Sequence, residues 1–309
     1  MDISGALREA SLAARPAAAS GEVADYIPEM AGLDPAAFGF AVVELDGTEH
    51  VVGDVDELFP IQSMSKVFAL VLAMQRLGDE RGVTEAIWSR VGREPSGDPF
   101  NSLVQLEHER GIPRNPMINA GALVIDDILL DHCADPDADL RALVRELSGG
   151  EVAIDAAIAA SEGRTSYRNR AMANLMASFG NITNDIDAVL DTYIDQCATA
   201  MTARQVARSM RFLANDGIDP ASGRQILPAP LARRVAAIML TCGTYDSSGE
   251  FAFSVGLPCK SGVAGGIMAF APDHSGMCVW SPPLDDSGNS LAGRVALHEF
   301  TARLELSIF

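Results

Sequence analysis

Three features of the sequence predict an α/β protein of the α+β kind, in which one antiparallel sheet draws strands from both chain ends and an all-helical lobe is inserted between them. β-rich runs occur near the start, at Phe38 to Leu45 and His50 to Gly53, and again near the end, at Phe251 to Leu257, Gly266 to Phe270 and Met277 to Trp280. Between them, about residues 63 to 240 read as helices. No repeat, low-complexity tract or linker divides the chain, so the two lobes form one unit over 1–309: a sheet lobe of about 1–60 plus 243–309 and a helical lobe of about 61–242, with a cleft between them.

The elements follow in order. Val67 to Leu77 is almost wholly apolar and reads as a buried helix entered from Ser63. Thr183 or Asn184 opens a segment whose Ile186, Val189, Leu190, Tyr193, Ile194 and Cys197 recur at helical spacing. Thr202 starts another helix that ends near Gly217, and Ser290 to Leu306 forms a closing one.

Bulk properties exclude several function classes. A net charge of -19 over 309 residues opposes a nucleic-acid backbone or an anionic membrane, both of which recruit Lys/Arg patches. The longest apolar stretch, Val67 to Met74, is far short of the roughly 20 residues of a membrane span. The start, MDISGALREA, has no apolar segment after a basic one, so a cytoplasmic location is expected. Cys133, Cys197, Cys242, Cys259 and Cys278 contain no C-x-x-C pair, and the scattered histidines show no metal spacing, so neither a disulfide framework nor a metal site is indicated. Gly288-Asn289-Ser290-Leu291-Ala292 approaches a nucleophile elbow but ends in alanine and lacks an Asp before a downstream His.

Lysine usage carries the chemistry. Of 23 basic residues only Lys66 and Lys260 are lysine. Lysine offers a compact ammonium that loses its proton when desolvated, which guanidinium does not. Lys66 closes Ser63-Met64-Ser65-Lys66, an S-x-x-K at the head of the apolar helix. Positions i and i+3 share a helix face, so the amine reaches Ser63 and makes it a nucleophile with an adjacent base. About 200 residues on, Lys260-Ser261-Gly262 completes a pair that matches the S-x-x-K and K-[ST]-G elements of serine β-lactamases and penicillin-binding proteins. In that arrangement Val263 lends a second oxyanion N–H. Tyr167-Arg168-Asn169 has the order of a third such element, with Tyr167 as a tempting base.

Longer strings extend the likeness over nearly the whole chain: ADYIP at 24–28, IQSMSKVFAL at 61–70, PSGDPFNSLVQLE at 95–107, GIPRNPMINAGAL at 111–123, SE at 161–162 with RN at 168–169, SFGN at 178–181, CGTYDSSGEFAFSVGLPCKSGVAGGI at 242–267 and WSPPLDDSGNSLAG at 280–293. With these the sequence resembles the serine-dependent bacterial and mitochondrial glutaminases, of β-lactamase/DD-peptidase-like fold. The resemblance implies hydrolysis of L-glutamine to L-glutamate and ammonia with no cofactor, by a homo-oligomer, a dimer or homotetramer. It places the nucleophile on Ser63, its lysine partner on Lys66, and substrate contacts on Tyr26, Asn119, Glu162, Asn169, Tyr193, Tyr245 and Val263. Glu162 suits the substrate ammonium, while Asn119, Asn169 and the tyrosine hydroxyls suit its carboxylate without a full cation in the pocket. Tyr245 or Tyr193 serves proton transfer to departing ammonia. Asn169, not Tyr167, belongs to the implied site. Periodicity alone makes Tyr193 a core residue and Asn119, Glu162 and Asn169 turn or helix-end residues; the resemblance is what assigns them. A few residues around Gly78 to Val83 exceed the short bacterial forms and are placed in a surface turn. The alternative is a β-lactamase or penicillin-binding-type peptidase with the same apparatus.

Overall fold

A computed structural model describes residues 2–97 and 102–309, so 98–101 of the PSGDPFNSLVQLE string lie outside the described residues. The main sheet is antiparallel and five-stranded, with β1 (Gly39–Glu44) and β2 (Glu49–Gly53) from one chain end. A minor sheet joins β3 (Phe59–Pro60), β4 (Ala153–Ile154) and β5 (Thr199–Met201) in the order β3-β5-β4. β6 (Cys259–Ser261), β7 (Gly266–Ala271) and β8 (Ser275–Trp280) complete the main sheet in the order β2-β1-β8-β7-β6. The two chain ends meet at its centre, where Phe40 pairs with Val279 and Val42 with Met277.

The helices before the midpoint are α1 (Ile3–Ala14), α2 (Ser65–Leu77), α3 (Glu80–Ala86), α4 (Leu103–His108), α5 (Asn119–His132) and α6 (Pro136–Ser148). After them come α7 (Ala156–Thr165), α8 (Tyr167–Ser178), α9 (Ile186–Cys197), α10 (Ala203–Ser209), α11 (Arg211–Ala214), α12 (Ala229–Cys242), α13 (Ser248–Ser254) and α14 (Leu291–Leu304). None of the described helices is long and apolar enough to cross a membrane.

Strand alternation distributes the main sheet between two cores. Phe40 and Val42, with Met277 and Val279, face a layer built by α1 and α14, where Leu7 and Phe300 pack. Ala41 and Val43, with Cys278 and Trp280, face the helical lobe and the largely apolar α2. A sheet covered on both faces explains why its strands read as continuous apolar runs.

Several expectations need correcting. Phe251 to Leu257 is not a strand: Ser248–Ser254 is helical, with Phe251 and Val255 buried one turn apart and Phe253 exposed. Gly256 at φ +68 then turns the chain, and the strand bearing the second lysine is β6. The Gly78 to Val83 segment is more than a turn, since Gly78 ends α2 at φ +83, Asp79 caps α3 through the Gly82 N–H, and Val83 is buried. Asp185, not Thr183 or Asn184, caps α9; those two donate backbone N–H groups to Asp127 Oδ1. Thr202 caps α10 by a capping box with Gln205, but the helix breaks at Met210 and α11 ends at Ala214. α1 and the minor sheet were not anticipated.

Candidate active site

The nucleophile turn is fixed before any side chain is considered. Ser63 lies in a single 3-10 turn, Gln62–Met64, that runs into α2. Ile61 N–H donates to Thr199 O at 2.8 Å, tying the turn to β5. Gln62 is held at φ +49, a region that costs a non-glycine residue energy and recurs at functional sites. From the other side Gly262 approaches so closely that a Cβ there would meet Ile61 O at 2.6 Å, which accounts for glycine after the Lys-Ser pair.

Lys66 joins this turn to the helical lobe. Its Nζ donates to Ser63 Oγ at 2.9 Å and to Asn119 Oδ1 at 2.6 Å, and lies 5.6 Å from the Tyr193 ring centroid. The residue is 2% exposed. Burial pulls its pKa down to about 8 against the charges of Cys197, Glu162 and Asp126, so the ammonium is poised to lose its proton. Asn119, the first residue of α5, passes the contact on by donating Nδ2 to Asn169 Oδ1 at 3.0 Å.

Lys260 has different surroundings. It is fully buried in β6, donates to Ser261 O at 2.6 Å and sits 4.4 Å from the Tyr245 ring centroid. Desolvation carries its pKa well below the ordinary lysine range. Ser261 Oγ donates to Asn289 Oδ1 at 2.6 Å, and Asn289 Nδ2 donates to Thr244 O at 3.2 Å, closing a buried brace under Tyr245. Tyr245, at φ +55, donates its hydroxyl to Ser261 O at 3.3 Å. Burial raises its phenol pKa, while hydrogen bonds with Ser63 and Ser261 act the other way.

A cavity of about 250 Å³ opens beside Ser63, and its wall includes Tyr26, Ser63, Asn119, Glu162, Asn169, Tyr193, Tyr245 and Val263. Lys66 reaches the cavity through Ser63 and Asn119. Tyr193 is both a core residue, as its spacing implies, and a wall residue. Glu162 is buried in the last turn of α7 and accepts from Gln62 Nε2 at 3.2 Å. Desolvation raises its pKa to about 7, with the Gln62 hydrogen bond and Lys66 opposing. Desolvation of the Tyr26 hydroxyl, with Tyr245 and Glu162 nearby, pushes that phenol well up although 56% of the residue is exposed.

Tyr167 is 80% exposed and is not among the described wall residues. Ser290 caps α14 through the Gly293 N–H and donates to Ser281 O, so the Gly288 to Ala292 string is a helix start. Sequence reasoning missed five wall residues: Ile27, Gln62, Thr165, Ser166 and Arg168. Arg168 corrects the expectation of a pocket without a full cation, because the α7–α8 corner brings Thr165, Ser166, Arg168 and Asn169 to the cavity wall.

A family model described as Glutaminase matches residues 21–309. A protein named Glutaminase from Methylobacterium radiotolerans is 49% identical, covering 100% of this chain and 99% of its own. Among solved structures, the probable glutaminase ybaS superposes with a TM-score of 0.92 at 32% identity over 99% of this chain and 98% of that one. The covalent complex of the Bacillus subtilis glutaminase YbgJ with 5-oxo-L-norleucine, formed from 6-diazo-5-oxo-L-norleucine, is similar at a TM-score of 0.85 and 34% identity over 98% of each chain.

Proposed function

The chain belongs to the glutaminase family, and from that premise we propose that it hydrolyses the side-chain amide of L-glutamine through an acyl-enzyme on Ser63. The observation that carries the mechanism is the 2.9 Å bond from buried Lys66 to Ser63 Oγ at the edge of a cavity whose opposite charge is Glu162. Neutral Lys66 takes the Ser63 proton as Oγ attacks the amide carbon. The Ser63 and Val263 N–H groups hold the oxyanion. The C–N bond breaks as Lys66, with Tyr245 in reach of Ser63, returns a proton to the nitrogen and ammonia departs. Water then adds to the acyl carbon, gives its proton to Lys66, and glutamate leaves as Ser63 is reprotonated. Glu162 pairs the substrate ammonium, while Asn119, Asn169, Tyr26 and Tyr193 fill the rest of the contact surface.

This clamp separates the reading from a β-lactamase or peptidase, whose bulky acyl groups carry no ammonium at that point. The sheet and helical lobes act as one catalytic unit. The family resemblance supports a cytoplasmic homo-oligomer, a dimer or tetramer, that needs no cofactor. The test is reaction with 6-diazo-5-oxo-L-norleucine followed by peptide mass spectrometry: the adduct falls on Ser63, and one on Ser65, Ser261 or a cysteine overturns the mechanism. Nitrocefin turnover without ammonia release from glutamine would favour the alternative.

A further inference from the structure

Behind the site the helical lobe encloses a carboxyl group that nothing holds. Asp126 follows Asn119 along α5 on the same helix face, about 10 Å further down the axis. It is 1% exposed, and neither of its carboxyl oxygens has a hydrogen-bond partner among the described residues. Asp137 faces it from α6, Gln196 from α9, Lys66 from α2 and Asp127 from α5 itself. α8, which also packs on α5, buries Asn169, Met172, Ala173 and Met176, none of them titratable. Gln196 Nε2 and Asp137 Oδ1 are likewise buried without a partner among the described residues.

A carboxylate in this place would carry a full charge with no donor to receive it, a state that a buried acid leaves by taking up a proton. Burial, and then Asp137, push the Asp126 carboxyl well above the usual carboxylate range, with the Gln196 amide and Lys66 opposing. Asp137 brings no relief, since burial and then Asp195 push it up to about 7, with Arg141 opposing. The connection to the site is Lys66: an ionised Asp126 opposes the loss of the Lys66 proton, and a neutral one does not. We infer that Asp126 keeps its proton in the folded enzyme and is a positioning residue that acts through Lys66, leaving the amine without an internal counter-ion so that it can serve as the base. The catalytic half of this inference rests on the glutaminase reading; the proton on Asp126 does not.

The test compares wild type with Asp126→Asn, a neutral side chain of the same shape. An acid that binds its proton more tightly when folded loses stability as pH rises above the unfolded carboxyl range. Between about pH 4.5 and 7 the folding equilibrium of wild type therefore drops by up to about tenfold per pH unit relative to the variant. Asp126→Asn melts above wild type at pH 7, by a margin that widens by about 2 °C per pH unit over that window. The infrared difference spectrum, wild type minus variant at pH 7, shows the C=O band of a protonated carboxyl. The acid limb of kcat/KM for L-glutamine keeps its midpoint within about 0.3 pH unit. An ionised Asp126 paired with Lys66 gives the opposite set: the variant melts below wild type, the difference band is that of a carboxylate, and the acid limb moves down by about one unit or more. A melting margin that does not change with pH makes Asp126 a packing residue. Either result overturns the inference. Asp126→Thr repeats the comparison if the amide disturbs the fold. Failure of the parent reading looks different: wild type releases no ammonia from L-glutamine, while the melting and infrared comparisons still report the proton.

Discussion

The two lysines occupy equally dry places and do unequal work. Lys66 is surrounded by side-chain oxygens, Ser63 Oγ and Asn119 Oδ1, one of which can exchange a proton with it. Lys260 gives its charge to a backbone carbonyl and a tyrosine face, neither of which can. Burial alone does not make a base. What differs is the partner, and in the proposed mechanism proton transfer falls to Lys66 and the support of Tyr245 to Lys260.

The largest effect expected in this comparison comes from removing what Lys66 acts on. Ser63→Ala loses about four or more decades of kcat with an unchanged circular dichroism spectrum, because one buried hydroxyl leaves and no packing goes with it. Activity within tenfold of wild type would mean that Lys66 serves another nucleophile.

Lys66→Arg follows, with a loss of about three to four decades in kcat/KM, since guanidinium keeps the charge and cannot serve as the base. Lys260→Met should cost only about tenfold, through a loosened Tyr245. Equal losses at the two lysines would break the comparison.

Between them stands Glu162→Gln, which leaves the substrate ammonium unpaired in a desolvated cleft and should lower kcat/KM for glutamine by about two to four decades. Glutaramic acid, which lacks the ammonium, should barely notice the change, so the four measurements close a double-mutant-style cycle. An unchanged substrate ratio would return Glu162 to the status of a helix-end residue.

The smallest effects lie in pH dependence. The proposed mechanism needs Lys66 neutral and Glu162 ionised, so kcat/KM in the wild type should fall below about pH 8 and more steeply below about pH 7. Glu162→Gln should retain only the shallower slope. Stability runs opposite to function at Lys66. Its folded pKa lies below the ordinary 10.5, so the fold carries the cost of a buried ammonium below pH 8, about 3 kcal/mol, and sheds it between pH 8 and 10.5. Lys66→Met should therefore unfold at a higher temperature than wild type at pH 7, and that advantage should fade toward pH 10.5.

The main sheet was legible because β1, β7 and β8 are dense apolar runs placed at opposite chain ends. Phe251 to Val255 misled because F-A-F-S-V alternates as a strand does, while the burial of Phe251 and Val255 follows helical spacing. Strands of two or three residues, as in the minor sheet, carry no periodicity at all. In the site, lysine scarcity exposed Lys66 and Lys260 from composition. Glu162, Asn119 and Asn169 became visible only through family resemblance, since each is ordinary at a helix end. Arg168 stayed hidden because an exposed arginine at a helix start reads as solvated surface; only the corner fold turns it toward the cavity.

A chain whose only two lysines are 2% and 0% exposed is nearly inert to amine chemistry while folded. Acylating dyes, aldehyde cross-linkers and lysine-directed conjugation enzymes find no side-chain amine at the surface of the described residues. Both lysines lie in or beside the active site, so any side-chain labelling that does occur marks molecules in which that region has opened, and its rate becomes a clock for the opening.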